Sequence, residues 1–145
     1  MKTRFSNFKT SLMPSLIVAA VFNGFTPKDQ SKKLSFTASV SRSDNGVPIT
    51  KLTEKNFRAT DVPVAGSSGI TDFSISVIER KWDPNDDEAS GVYDITLTLA
   101  NNSIFALIKG ATYAVGLQVN ELGEWPSKIG HWNGLVGQTF VAVVN

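Results

Sequence analysis

Alternation of apolar and polar residues with a period of two is the feature that most constrains this chain. It begins clearly at Leu34, where "LSFTASVS" places an apolar residue at every second position and serine or threonine between them. The pattern recurs in "FSISVIE", "VYDITLTL" and "ATYAVGLQV", and no segment carries a convincing long helical period. Because successive side chains of a strand point to opposite faces of a sheet, each segment predicts a strand with one buried and one solvated face.

Gly, Asn, Asp and Pro residues separate these strands at short intervals. The run "SDNG", residues 43–46, predicts a type I′ turn because Asn and Gly accept the positive φ angles that this turn requires. The following "VPIT" predicts a short strand with Pro48 at its start or at a sheet edge. Counting in this way gives seven or eight strands. One apolar and one polar face per strand is typical of antiparallel sheets packed as a two-layer sandwich, so we expect an all-β protein.

The first 24 residues allow two interpretations. Three basic residues precede an apolar run from Leu12 to Phe22, as in a secretory signal. Pro14 interrupts that run, and no clear cleavage motif follows it. The alternative is a first strand that places Leu16, Val18, Ala20 and Phe22 on one face. In either case the run is too short for a membrane span. We therefore divide the chain into an N-terminal extension, residues 1–30, and a sandwich domain, residues 31–145.

Composition limits the chemistry of the chain. Its 145 residues suit one domain, and 41% of them are hydrophobic, enough for a core. There are no cysteines, which excludes disulfides, thiolate metal clusters and thiol nucleophiles. The net charge of +1 hides ten basic against three acidic residues in 1–60 and four against ten in the remainder. Spread-out basic residues do not indicate a nucleic-acid surface. The charge split would favour head-to-tail contacts between copies unless interleaved strands mix the charges.

The stretch "FTASVSRSDNGVPITKLTEKNF" resembles immunoglobulin-like modules of bacterial surface and secreted proteins, in which "nG-x-P-v-t-x-L-t-x-x-n-F" joins two early strands. "SGVYDITLTL", "KGATYAVGLQV" and "GQTFVAVV" are similar to their later strands, so the resemblance covers roughly residues 34–145. It implies an antiparallel immunoglobulin-like β-sandwich with Leu52 and Phe57 in the core and Tyr93 and Tyr113 as buried aromatics. It also implies an extracellular or cell-surface location. Such folds host many unrelated roles, so the resemblance carries over no functional residue.

The segment "NELGEWPSKIGHWNGLVG", residues 120–137, is the candidate binding region. It is long for a sandwich loop, and long loops are uncommon unless they are functional or disordered. Tryptophan offers a large flat face for a sugar ring or a protein contact, and Gln118, Glu124 and Asn133 could add hydrogen bonds. The alternative is that the tryptophans fold back over the open end of the sandwich. The candidate binding residues are Trp125, His131, Trp132 and Asn133.

A second candidate is the acidic loop "WDPNDDEASG". Asp83, Asn85 and Asp87 follow the D-x-N-x-D spacing with which an EF-hand calcium loop begins. The spacing then fails, because Glu88 stands where that loop needs glycine. A solvated hairpin loop is the simpler interpretation. We therefore expect no cofactor, with calcium at these three residues as the alternative.

These observations favour a non-enzymatic immunoglobulin-like module that acts by adhesion or self-assembly at a cell surface, in a fibre or on a particle. His131 is the sole histidine and has no partner residue typical of a zinc site or a catalytic triad. The expected partners are another protein or copies of the chain itself. The alternative is a lectin-like protein that binds carbohydrate with the 120–137 loop. We expect no enzymatic activity, no nucleic-acid partner and no transmembrane span.

Overall fold

The computed structural model describes residues 15–25, 33–63, 73–83, 85, 88–99, 112–125 and 134–144. Within these ranges the chain forms one 3-10 turn, Glu54–Asn56, and no α-helix. None of the helical structure described there has the length and apolar character needed to cross a membrane. The described strands are β1 Leu16–Phe25, β2 Lys33–Arg42, β3 Phe57–Pro63, β4 Phe73–Lys81, β5 Ala89–Leu99, β6 Thr112–Asn120 and β7 Val136–Val144.

The strands form two antiparallel sheets, one in the order β1-β2-β5-β4 and the other in the order β3-β6-β7. If β1 to β7 are given the letters A to G, the two sheets are ABED and CFG. This is the strand order of an immunoglobulin constant-type sandwich. The predicted all-β antiparallel sandwich is therefore confirmed. Each sheet combines strands from the basic first sixty residues with strands from the acidic remainder, so the two sheets do not separate the charges.

The core lies between the sheets and follows the alternation that the sequence predicts. β2, β5 and β6 each lie between two neighbours, and their inward side chains are almost completely buried. Removing one such aliphatic side chain from water stabilises the fold by roughly 1.5–3 kcal/mol. The buried residues of these three strands are Leu34, Phe36, Ala38, Val40, Tyr93, Ile95, Leu97, Val115, Leu117 and Val119.

β1 belongs to the sandwich, in agreement with the strand interpretation of the apolar N-terminal run. Leu16 and Val18 are buried, and the Phe22 ring packs at 5.4 Å from that of Phe36. β1 also lies against β7 of the other sheet. A Cβ atom added to Gly137 would stand 2.5 Å from the Leu16 carbonyl oxygen, so the small residue allows the two edge strands to approach closely.

The turn after β2 differs from the prediction. A type I′ turn needs positive φ at both central residues, but among the described non-glycine residues only Lys51 has one, and in this turn Gly46 alone does, at 70°. The Arg42 N–H donates to the Val47 carbonyl at 2.9 Å, and the Gly46 N–H donates to the Arg42 carbonyl at 2.9 Å. The connection is therefore a four-residue loop. The Asn45 side chain favours it by accepting the Val47 N–H at 3.0 Å.

The predicted strand "VPIT" is also wrong, because Pro48 forms only an isolated bridge with Ser41. Pairing stops there because the same side of β2 pairs with β5 over Lys33–Ser39. Beyond it, Leu52 and Phe57 are buried as predicted, and the Phe57 ring packs edge-on at 5.3 Å from the Tyr93 ring. The Tyr113 side chain lies outside the described residues, so its predicted burial stays a prediction.

Candidate functional site

Three loops meet at one end of the sandwich. They join β2 to β3, β4 to β5 and β6 to β7, and the last contains the candidate binding region. Of the candidate binding residues the structure describes Trp125. His131, Trp132 and Asn133 lie outside the described residues, so their role stays a prediction.

Asn56 fastens the β2–β3 loop to the end of β6. Its side-chain N–H donates to the carbonyls of Asn120 and Glu121, both at 3.0 Å. Its side-chain oxygen accepts the Thr53 N–H at 2.9 Å. Asn56 is buried, so these bonds form away from water, where an unpaired amide would be costly. The two loops are thereby held in a fixed relative position.

The base of the β6–β7 loop has its own hydrogen bonds. The buried Asn120 side chain donates to the Glu124 carbonyl at 2.9 Å and accepts the Leu122 N–H at 2.9 Å. The Glu121 N–H donates to the Leu135 carbonyl at 3.0 Å, and the Leu135 N–H donates to the Glu121 carboxylate at 3.0 Å. These bonds tie the two described ends of the loop to each other.

Trp125 directly follows the segment of this loop that the Asn120 side chain holds by hydrogen bonds. Its indole N–H donates to the Lys55 carbonyl at 2.8 Å. The Arg58 guanidinium lies over its ring, with Cζ 5.9 Å from the ring centroid, which is within the range of a cation–π contact. Trp125 is half-buried, so part of its surface is exposed to solvent. The structure thus places it between the β2–β3 loop and the outer face of β3.

Two glutamines continue this site across the sheet. Arg58 pairs with Gln118 on β6, and Gln118 pairs with Gln138 on β7, so the three side chains form a row on the outer face. A cavity of about 280 Å³ is lined by Gln118, Val119, Val136, Gly137 and Gln138. The side-chain amides in its lining can donate to and accept from a small polar ligand.

The β4–β5 loop is described in part. The Asp83 carboxylate accepts the Asn85 N–H at 2.9 Å, and the Trp82 N–H donates to the Glu88 carbonyl at 3.2 Å. Trp82 is 66% exposed, which places it at the rim of the loop. Asp87 lies outside the described residues, so the calcium alternative stays untested. Among those described, no three His, Cys, Asp or Glu residues cluster to hold a metal ion.

Glu79 of β4 makes hydrogen bonds to the β2–β3 loop and to β5. Its carboxylate accepts the Lys51 N–H at 2.8 Å and the Gly91 N–H at 2.9 Å. Hydrogen bonds to a carboxylate are stronger than those between neutral groups. Glu79 therefore joins the β2–β3 loop, β4 and the start of β5.

The outer face of the β1-β2-β5-β4 sheet is a second candidate surface. It consists largely of serine and threonine, with exposed aliphatic side chains along its margins: Ile17 and Val21 on β1 and Ile78 on β4. At its centre Arg80 makes two hydrogen bonds to Asp94, at 2.8 and 2.9 Å. Because Arg80 hydrogen-bonds and attracts the carboxylate, the pKa of Asp94 is below its ordinary value.

Sequence reasoning missed Arg58, Asn56 and Gln138 as parts of the loop-end site. Alternation in "FRATD" indicates that Arg58 faces outward, but only the strand register brings it opposite Gln118. Asn56 stands in the run that the resemblance identifies, yet its partners lie 64 and 65 residues away. No short-range signal could have revealed those contacts.

Comparison with family models, curated proteins and solved structures gives no match to this chain, so what is inferred about its role rests on its own sequence and geometry.

Proposed function

We propose that this chain is a non-enzymatic immunoglobulin-like module that acts by adhesion or self-assembly at a cell surface, in a fibre or on a particle. The proposal includes the kinship with bacterial surface and secreted modules and an extracellular location. The partner would be another protein or a further copy of the chain.

The outer face of the β1-β2-β5-β4 sheet is the observation that carries this proposal. Charged side chains that become buried in a protein contact must be paired. On this face Arg80 and Asp94 neutralise each other, and Ser35, Ser39 and Ser76 surround them. The exposed fraction is 61% for Val21 and 67% for Ile78 at the opposite margins. A face whose central charges are paired and whose margins are apolar suits contact with another protein surface.

Self-assembly is tested by sedimentation and light scattering over a wide concentration range. We expect mass to increase with concentration. Val21→Lys should reduce that increase, because a lysine on this face must be desolvated in the contact. Val47→Lys is the matched control, since Val47 is 50% exposed but lies in the β2–β3 loop. A monodisperse monomer at every concentration would contradict self-assembly, and equal behaviour of both variants would exclude this face.

A second candidate function is carbohydrate binding at the loop end. It is favoured by the row of Arg58, Gln118 and Gln138 beside Trp125 and by the adjoining cavity. Amide groups can donate to and accept from sugar hydroxyls, while an aromatic ring stacks on the apolar face of a sugar.

A glycan array tests this candidate. Binding should be lost in Trp125→Ala and retained in Trp82→Ala, which removes an exposed tryptophan from the neighbouring β4–β5 loop. Trp132→Ala extends the test to the predicted loop residues. An array on which the unaltered protein binds no glycan would exclude the lectin-like role.

A further inference from the structure

The four edge strands of the sandwich differ in how well they are protected against pairing with another chain. β1 and β7 lie against each other, as the close approach of Leu16 to Gly137 shows. β3 contains Arg58, Asp61 and Pro63, and charged residues and proline are common devices that prevent pairing at an exposed edge. β4 pairs with β5 on one side, and no described strand pairs with its other side.

The first six residues of β4, "FSISVI", have none of these protective features. They contain no proline, no glycine and no charge, and β-branched and aromatic residues make up four of the six. Such a segment on an edge has a strong tendency to pair with another strand. Charges appear only at Glu79, Arg80 and Lys81, where the register with β5 also shifts.

The inward side chains of β4 are incompletely covered. Phe73, Ile75 and Val77 are half-buried, whereas Ile95 and Leu97 on the neighbouring strand are exposed by 1% or less. The core is thus exposed along this edge. A further strand added beside β4 would place its own inward side chains next to these three and remove more of their apolar surface from water.

We infer that β4 is a self-association edge, which pairs antiparallel with β4 of a second copy and joins two four-stranded sheets into one of eight strands. This inference rests on the proposed self-assembly and adds an edge contact at β4 to the contact through the outer face. The two-fold axis passes through Ser76, so that Ile75 faces Val77 of the other copy and Ser74 faces its Ile78. Residues opposite each other in an antiparallel pair share a face, so Ile75 and Val77 of the two copies meet inside the sandwich. Phe73 faces Glu79 of the other copy, whose carboxylate is hydrogen-bonded within its own chain.

The distribution of charge fits the same arrangement. In an antiparallel pair centred on Ser76, the Glu79–Arg80–Lys81 segments of the two copies lie at opposite ends of the joint. No like charges then face each other within the paired segment, where they would be destabilising. A parallel pair would instead bring the two charged segments side by side. An isologous contact of this kind closes with two copies, as most homodimers do.

Cysteine cross-linking tests the register, because the chain has no cysteine of its own. Ser76→Cys puts two thiols opposite each other on the axis, at about the 5 Å Cβ separation of a cross-strand pair, within reach of a disulfide. Ser74→Cys is the matched control on the same exposed face. Its two thiols would be offset by four residues, or about 13 Å, too far for a bond.

We expect mild oxidation to link Ser76→Cys into a covalent dimer and to leave Ser74→Cys monomeric. Ser76→Lys should weaken the dimer severalfold by placing like charges opposite each other, while Val47→Lys, in the exposed β2–β3 loop, should not. Linkage of both cysteine variants to the same extent would overturn the inference. So would a concentration-dependent dimer in which Ser76→Cys does not link, although self-assembly would then stand. A protein that stays monomeric at every concentration would overturn both.

Discussion

The hydroxyl of Tyr93 donates a hydrogen bond of 2.6 Å to the backbone carbonyl of Ile49. The same oxygen accepts the Leu52 N–H at 3.2 Å. Tyr93 lies on the central strand β5 and is 0% exposed, so the β2–β3 loop is anchored directly to the core. This contact holds the irregular β2–β3 loop against the core. In that position Asn56 and Lys55 hydrogen-bond to the β6–β7 loop.

Tyr93→Phe should destabilise the protein by about 1–3 kcal/mol, because the Leu52 N–H and the Ile49 carbonyl would lose their partner in a buried place. The ring itself is retained, so the packing against Phe57 should persist. Urea denaturation measures the change in the free energy of unfolding. An unchanged midpoint would mean that water or a shifted backbone replaces both bonds.

The same residue should make the protein sensitive to high pH. Burial raises the pKa of Tyr93 above its ordinary value, because the phenolate form is disfavoured away from water. The unfolded chain loses this proton near its ordinary pKa of about 10, while the folded chain keeps it. The contribution of Tyr93 is therefore complete below about pH 10 and decreases as the pH rises further. Denaturation across this range should show a steeper loss for the unaltered protein than for Tyr93→Phe.

Acid should remove the contribution of Asp94. Since the pKa of this carboxyl is lowered in the folded state, its stabilising effect is present above the ordinary value of about 3.9 and is lost as the pH falls below it. Asp94→Asn should reduce the loss of stability on acidification. Arg80→Gln should have a similar effect, because Arg80 is the main cause of the lowered pKa. If neither variant alters the acid limb of the stability profile, this ion pair contributes nothing measurable, as many exposed pairs do.

Gly91→Ala should be more harmful than Gly46→Ala. Both glycines have positive φ, 75° and 70°, a region that costs alanine roughly 1–2 kcal/mol. At Gly91 the new Cβ would also stand 2.7 Å from the Pro48 Cβ, whereas at Gly46 nothing lies within 4 Å. The contact should add about 1–3 kcal/mol to the loss of stability. Thermal or urea denaturation of the two variants compares them, and equal losses would show that the β2–β3 loop moves away without cost.

Asn56→Ala should loosen the loop end and destabilise the protein by about 1–3 kcal/mol, since it leaves two carbonyls and one N–H without their partner. The fluorescence emission of Trp125 should also change in this variant, because the Trp125 indole N–H donates to the carbonyl of Lys55, the residue before Asn56. Asn45→Ala is the control, an exposed asparagine whose side chain accepts one local N–H. Its effect should be smaller, and tryptophan emission should be unaltered. If fluorescence emission changes equally in both variants, the Asn56 side chain does not hold the β2–β3 and β6–β7 loops together.

Much of this fold could be predicted from short-range pattern. Alternation in "LSFTASVS" and "VYDITLTL" correctly assigns Phe36 and Ile95 to the core, because a pleated strand with one covered face requires a period of two. The two wrong predictions, a type I′ turn at Asn45-Gly46 and a strand at Pro48, both fall in the connection that follows β2. Asn-Gly indicated a two-residue turn, but the Asn45 side chain supports a four-residue loop. Pro48 was assigned to a strand, but it forms a single bridge because β5 already pairs with that side of β2.

Alternation and turn residues in the sequence were enough to assign the apolar faces of the strands and the positions of most strands, and the resemblance implied that Leu52 and Phe57 point inward. Tertiary structure alone decided that Arg58, Gln118 and Gln138 form one row, that Asn56 holds a loop 64 residues away, and that β4 is left at an edge. The reason is physical. Alternation and turn preference are local properties of the chain, whereas strand order and register depend on which apolar faces cover one another, which no single segment encodes.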